Sequence, residues 1–251
     1  MKFDFKKLMP HAIAVVVFIV VALLYCKPVL EGKVVNAHDN QGWKGMAQQS
    51  FEVREKQGIF PNWSNSMFGG MPAYQFAMEA RHKIMFAYVQ DIMTLKLPKP
   101  ANFFFLACIC FYILGLALRL NPWIAIMGAL AYGYSTYNPV IIGAGHDTKM
   151  LAMGYAPLMI AGLLLLFQKK WWVGIAALTT GASLQISTAH LQIVYYTLII
   201  LAILCIGFLI DSFRKKELVT AFKSFAIALF VGLVAFGSNA IHTLTNWDYA
   251  K

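Results

Sequence analysis

The residues best suited to chemistry fall in three short stretches. "VVNAHDNQGW" carries Asp39. "YNPVIIGAGHDTKMLAMGYAPL" sets His146, Asp147, Thr148 and Lys149 side by side between two apolar runs. "ISTAHLQIVYY" holds His190, with Gln185 and Gln192 nearby. A carboxylate can accept a proton, an imidazole can exchange one near neutral pH, and an ammonium can offset a developing negative charge. His242 and Asp248 add a further base and acid near the end of the sequence. Each residue also has a plainer role. "HDNQGW" has the form of a helix N-cap, and His146 to Thr148 can cap the helix that follows. Lys149 can snorkel to lipid phosphates, and His190 can be an ordinary turn residue. No HxxxH or similar ligand spacing occurs, so a metal site would have to assemble in space.

The surroundings of these stretches set the class. Of 251 residues, 59% are hydrophobic and 13% charged, with a mean hydropathy of +0.62. A soluble domain carries about 25% charged residues, so long apolar runs at this density indicate an all-α polytopic membrane protein. The net charge of +10 does not indicate nucleic acid, because the basic residues lie in small groups beside apolar runs, where they set topology. Cys26, Cys108, Cys110 and Cys205 all lie within apolar segments and read as small apolar residues rather than disulfide partners or zinc ligands. The N-terminal basic cluster and its long apolar run lack a small-residue cleavage site and read as a retained signal anchor.

Seven segments are near the roughly 20 apolar residues that a crossing needs: 10–30, 101–119, 122–143, 150–168, 171–188, 191–211 and 224–241. The fifth is the least apolar. Its Thr179, Thr180, Ser183 and Gln185 suit contact with other helices rather than lipid. With the N-terminus in the cytoplasm, the inner side holds Lys2, Lys6, Lys7, Arg119, Lys169, Lys170, Arg214, Lys215, Lys216 and Lys223. The outer short loops and tail hold only Lys149 and Lys251, which satisfies the positive-inside rule. On this topology Asp39, the His146–Lys149 turn, His190, His242 and Asp248 all face outward. The inner side has only basic residues with Asp4, Asp211 and Glu217.

Residues 31–100 form an outer loop between the first two spans, long enough to require structure of its own. "WKGMAQQSFEVREKQ" places Trp43, Met46, Ala47 and Phe51 on one helical face. "RHKIMFAYVQDIMTLKL" places Ile84, Tyr88, Ile92 and Leu95 on a stripe opposite Lys83, Gln90, Asp91 and Thr94. Both have the pattern of amphipathic helices lying along a membrane surface. Between them, "IFPNWSNSMFGGMPAY" is rich in Gly, Pro, Asn and aromatics, the composition of a tightly shaped loop.

A basic N-terminus, one span, a large outer loop with an acid near its start, and then "PNWSNSMFGGMPAY", "GHDTKMLAMGYAP" and "STAHLQIVYY" together resemble the YfhO family of bacterial membrane proteins, in its Bacteroidetes-type form. The resemblance runs over essentially the whole chain. YfhO proteins are related to the GT-C superfamily of polytopic glycosyltransferases, whose module has seven transmembrane helices and surface helices in the first outer loop. YfhO-like proteins are usually longer, so the chain, a single module over 1–251, corresponds to their N-terminal portion.

The resemblance implies transfer of a sugar from a polyprenyl-phosphate donor to a cell-envelope acceptor at the outer face of the bacterial cytoplasmic membrane. It makes Asp39 the general base. His146 and Lys149 become candidates to stabilise the donor phosphate, with His190 near them. Asp147 could instead join Asp39 in holding a divalent cation, Mg or Mn. Trp63, Phe68 and Tyr74 could stack on substrate, or simply pack the loop. Two other classes stay open: a transporter or flippase for a lipid-linked substrate, which would need polar groups in mid-span, and a non-catalytic assembly subunit.

Overall fold

The computed structural model describes residues 5–77 and 84–249. Lys2, Asp4, Lys83 and Lys251 lie outside the described residues. Twelve helices occur among those described. Four are long and apolar enough to cross a membrane: α1 (Phe5–Tyr25), α8 (Asp147–Phe167), α10 (Leu191–Arg214) and α11 (Leu218–Ser238). α5 (Ala101–Ala117), α6 (Pro122–Gly133) and α9 (Trp171–Ser187) are shorter. By length and composition, these four helices suggest a membrane protein.

α8 is the centre of the bundle. It packs against α5 on one side and α9 on the other, and Tyr155, Leu163 and Leu166 are fully buried along it. Contact with α9 is close because Gly162 has no side chain: a Cβ there would lie 2.5 Å from the Leu178 backbone nitrogen. Small residues let helix backbones approach in this way where lipid offers no hydrophobic drive between helices. α10 and α11 sit outside this core. They expose Ile199, Ile203, Ile206, Phe222, Phe230 and Leu233, large apolar side chains that only a lipid surround would solvate well. Aromatics collect at both ends of the bundle: Trp123 and Trp172 at one, Tyr195 and Tyr196 at the other, all exposed. Such belts mark the two interfaces of a bilayer.

The apolar run at 122–143 is not one helix. α6 stops at Gly133 and α7 (Tyr137–Ala144) restarts after a break. The carbonyls freed by the break are not abandoned. The Asn138 side chain, 1% exposed, donates to the Tyr132 and Gly133 carbonyls at 2.9 and 3.0 Å, as a non-helical stretch inside a membrane bundle requires. The fifth segment, α9, faces helices as its polar residues suggest. Buried Gln185 donates to the Ala152 carbonyl (2.8 Å) and to Thr197 (2.9 Å).

Between α1 and α5 the chain forms a short helix α2 (Lys27–Leu30), then α3 (His38–Gln57), a two-residue hairpin β1 (Trp63–Ser64) and β2 (Met71–Pro72), a 3-10 turn (Ala73–Gln75), and α4 (Ile84–Met93). The two amphipathic helices differ in use. The apolar stripe of α3 is covered by this segment itself: Trp43, Ala47 and Phe51 pack with Phe60, Ala73 and Phe76. On α4, Met85, Tyr88 and Ile92 remain exposed, one helical face left for an apolar surround.

Candidate active site

Three helix starts line one cavity of about 820 Å³. α3 begins after Ala37, which is extended (φ −89°, ψ 130°), and puts Asp39 in its first turn. α8 begins after His146, with Asp147 in its first turn, and α10 begins after His190. None of the residues flanking these starts caps its helix through a side chain. Three positive dipole ends therefore face one space; Asp39 and Asp147 each meet a basic side chain there, while His190 Nε2 is buried without a hydrogen-bond partner among the described residues.

Gly145 brings the first two starts together. It ends α7 in the left-handed region (φ 99°), where an L side chain is strained. A Cβ there would lie 3.0 Å from Ala37 Cβ and 3.1 Å from the Asn40 nitrogen. The chain closes through this contact, and Asp39 Oδ2 meets His146 Nε2 at 2.7 Å, both side chains about half exposed.

Asp147 is held from the other side. Its Oδ2 receives the Lys99 ammonium, from the residues just before α5. Its Oδ1 is buried and without a partner among the described residues. The Asn40 amide fits between these groups with its nitrogen donating to the Gly145 carbonyl (3.3 Å) and its oxygen accepting from Lys99 (3.2 Å). His190 completes the wall. Burial, then the nearby Lys149 charge, then His146 depress its pKa below the ordinary imidazole value, so it is neutral at pH 7.

Asp39, His146, Asp147 and His190 thus share one cavity. Lys149 is near enough to act on His190, but its ammonium lies over the Tyr137 ring, 5.1 Å from the centroid. The aromatic residues on the cavity wall are Trp43, Phe51 and Phe76, not Trp63, Phe68 and Tyr74. Trp63 donates to Asn65 at 3.1 Å and lies over Gly70. Phe68 is 86% exposed at the loop tip, and Tyr74 is half-buried in the 3-10 turn. Asp248 lies on α12 (Ala240–Tyr249), whose Asn246 accepts from cavity residue Gln75 at 2.7 Å. His242 is on the same helix.

Lys99, Asn40 and Trp43 were missed by sequence reasoning. Lys99 belongs to the long loop, whose basic residues do not enter a topology count. Its one signal was its place in "LPKP", directly before a span.

The donor set does not suit a divalent cation. Among the described residues no three His, Cys, Asp or Glu groups gather as a metal site. Asp39 and Asp147 are each turned to a basic partner. No step is routed through a metal below.

No family model, curated protein or solved structure matches this chain.

Proposed function

We propose that the cavity is the reaction chamber of a GT-C-type membrane glycosyltransferase of YfhO-like architecture, which moves a sugar from a polyprenyl-phosphate donor to a cell-envelope acceptor. In this reading the bundle crosses the bacterial cytoplasmic membrane seven times, through α1, α5, α6 with α7, α8, α9, α10 and α11. The cavity opens on the extracytoplasmic side, and the N-terminus is cytoplasmic. The observation that carries the reading is a carboxylate–imidazole pair inside a space lined by three helix starts and beside Lys99. This puts a base and a strongly anion-favouring surface in one place, at the end of an apolar bundle that can receive a lipid tail.

Each group has a task in that reaction. Asp39 takes the proton of the acceptor hydroxyl as its oxygen attacks the anomeric carbon. His146 Nε2, 2.7 Å from Oδ2, lies against the carboxylate on that side and leaves Oδ1 to meet the hydroxyl. The C–O bond to the donor phosphate breaks as the new glycosidic bond forms, and the phosphate leaves as an anion. Lys99, freed in part from Asp147, and the dipoles of α3, α8 and α10 stabilise that charge. Neutral His190 contributes a hydrogen-bonding group without a competing charge. Trp43, Phe51 and Phe76 offer apolar faces to the sugar or acceptor.

An ion-coupled transporter is less well supported. No Asp, Glu, Lys, Arg or His among the described residues is fully buried, whereas coupling needs ionisable groups inside the bundle.

The test is Asp39→Asn in cell membranes, followed by consumption of polyprenyl-phosphate-linked sugar. The variant keeps the shape of the side chain and loses its basicity. Sugar transfer should fall by about 10²–10⁴-fold at unchanged protein level. Transfer at the original rate removes Asp39 from the chemistry. Lipid-linked substrate crossing vesicles without transfer replaces this reading with transport.

A further inference from the structure

On the flank of the bundle, α9 and α11 leave a second void between them, of about 410 Å³. Ile175 and Thr179 line it from α9, and Ala226, Ile227, Phe230 and Val234 from α11, with Lys223 at one end. Lys223 and Val234 are eleven positions apart, or about 16 Å of helix. That is about half of a ~30 Å hydrocarbon core, the reach of one acyl chain from one leaflet.

We propose that this groove binds one anionic glycerophospholipid, its acyl chain along α11 and its phosphate at Lys223. The inference needs only the membrane setting and does not rest on sugar transfer. Charge complementarity argues for the headgroup. The Lys223 ammonium sits 3.6 Å from the centre of the Trp171 ring and forms no ion pair among the described residues. Asp211 and Glu217, the acids of this end, already hold Lys215 and Lys169. A lysine held at the mouth of an apolar slot by an indole, with no acid to meet it, matches a lipid phosphate.

The test is native mass spectrometry of the full chain, purified in mild detergent from membranes holding phosphatidylglycerol and phosphatidylethanolamine. One phosphatidylglycerol per chain should remain bound. Lys223→Gln should weaken its retention about fivefold, and Lys223→Arg should keep it. Ala226→Phe, which fills the slot, should expel the lipid whatever its headgroup, at unchanged helix content by circular dichroism. Equal retention of both lipids, or retention unchanged in Lys223→Gln, overturns the proposal. So does a co-purifying polypeptide that crosslinks to the groove. If Ala226→Phe fails to fold, the Gln and Arg variants at Lys223 still decide.

Discussion

At one end of the bundle Asp39 meets His146 at 2.7 Å, and at the other Lys169 meets Glu217 at 3.1 Å. Each pair joins residues distant in sequence and about half exposed. The settings differ. Lys169 and Glu217 tie the α8–α9 turn to the α10–α11 turn, and the neighbouring Gln168 donates to the Ala117 carbonyl at 2.6 Å. These contacts fasten short turns together. Asp39 arrives from the long segment after α1, and the pair it makes forms part of the wall of an 820 Å³ cavity with Lys99 and His190 nearby. A charged pair over a turn is therefore no sign of a site. Concavity and a convergence of helix starts are what separate the two ends.

The sharpest way to break the comparison is to remove one partner at each end. His146→Ala removes the imidazole from beside the Asp39 carboxylate and, on the proposed glycosyl-transfer reading, a polar group near the leaving phosphate. Transfer should drop about 100-fold, read as kcat/KM on the lipid-linked donor. A change of twofold or less would reduce the Asp39–His146 bond to a surface contact like the one opposite.

Gly145→Ala asks whether the meeting of α3 with α8 is what makes the site. Alanine at φ 99° is strained, and its Cβ presses on Ala37 and Asn40 at about the limit of contact. The cost should be about 1–3 kcal/mol, measured as a lowered thermal midpoint in detergent. Sugar transfer should fall with it as Asp39 moves off His146. An unchanged midpoint would mean that the turn yields without strain.

The helices themselves were the most legible feature. α8, α10 and α11 announce themselves by length and apolar content, and α9 by its scattered hydroxyls. The break between α6 and α7 went unread, although Ser135, Thr136, Asn138 and Pro139 mark it, because the apolar residues on either side add up to the length of one span. In the site, Asp39, His146, Asp147 and His190 stood out because acids and imidazoles are rare beside apolar runs. Their pairing did not, because it depends on a left-handed glycine bringing two segments together over 107 positions. Aromatic composition was a poor guide. Trp43 and Trp63 look alike in sequence, yet α3 turns Trp43 inward, where its indole donates to the Phe76 carbonyl. The Gly69–Gly70 turn leaves Phe68 in the open.

His190 extends the comparison to pH. Its pKa is depressed below the ordinary 6.5, so the unfolded chain binds the proton first as pH falls. The stability it contributes is complete above about pH 6.5 and is lost as pH drops from there toward the folded value. The thermal midpoint should decline over that window, and His190→Gln should remove that part of the decline. Lys149→Met should shrink it, since Lys149 is one of the charges holding the pKa down. An identical pH profile in His190→Gln would assign the decline to other groups.

The smallest effect is expected at the opposite end, and it is the control on which the comparison depends. Lys169→Ala and Glu217→Ala each break an exposed pair whose charges are screened by water and salt, which is worth about 0.2–1 kcal/mol. The two singles and the double form a cycle whose coupling energy reads the pair directly. Coupling below about 1 kcal/mol, with sugar transfer unchanged in all three, is the expected result. Loss of transfer would mean that the basic end communicates with the cavity through α8, which runs the full distance from Asp147 to Phe167. The buried length of that helix makes such communication physically available. The surface position of the Lys169–Glu217 pair makes it unnecessary: half in water, its loss shifts no core residue of α8, and Leu166, fully buried one turn away, remains clamped by the close approach of α9.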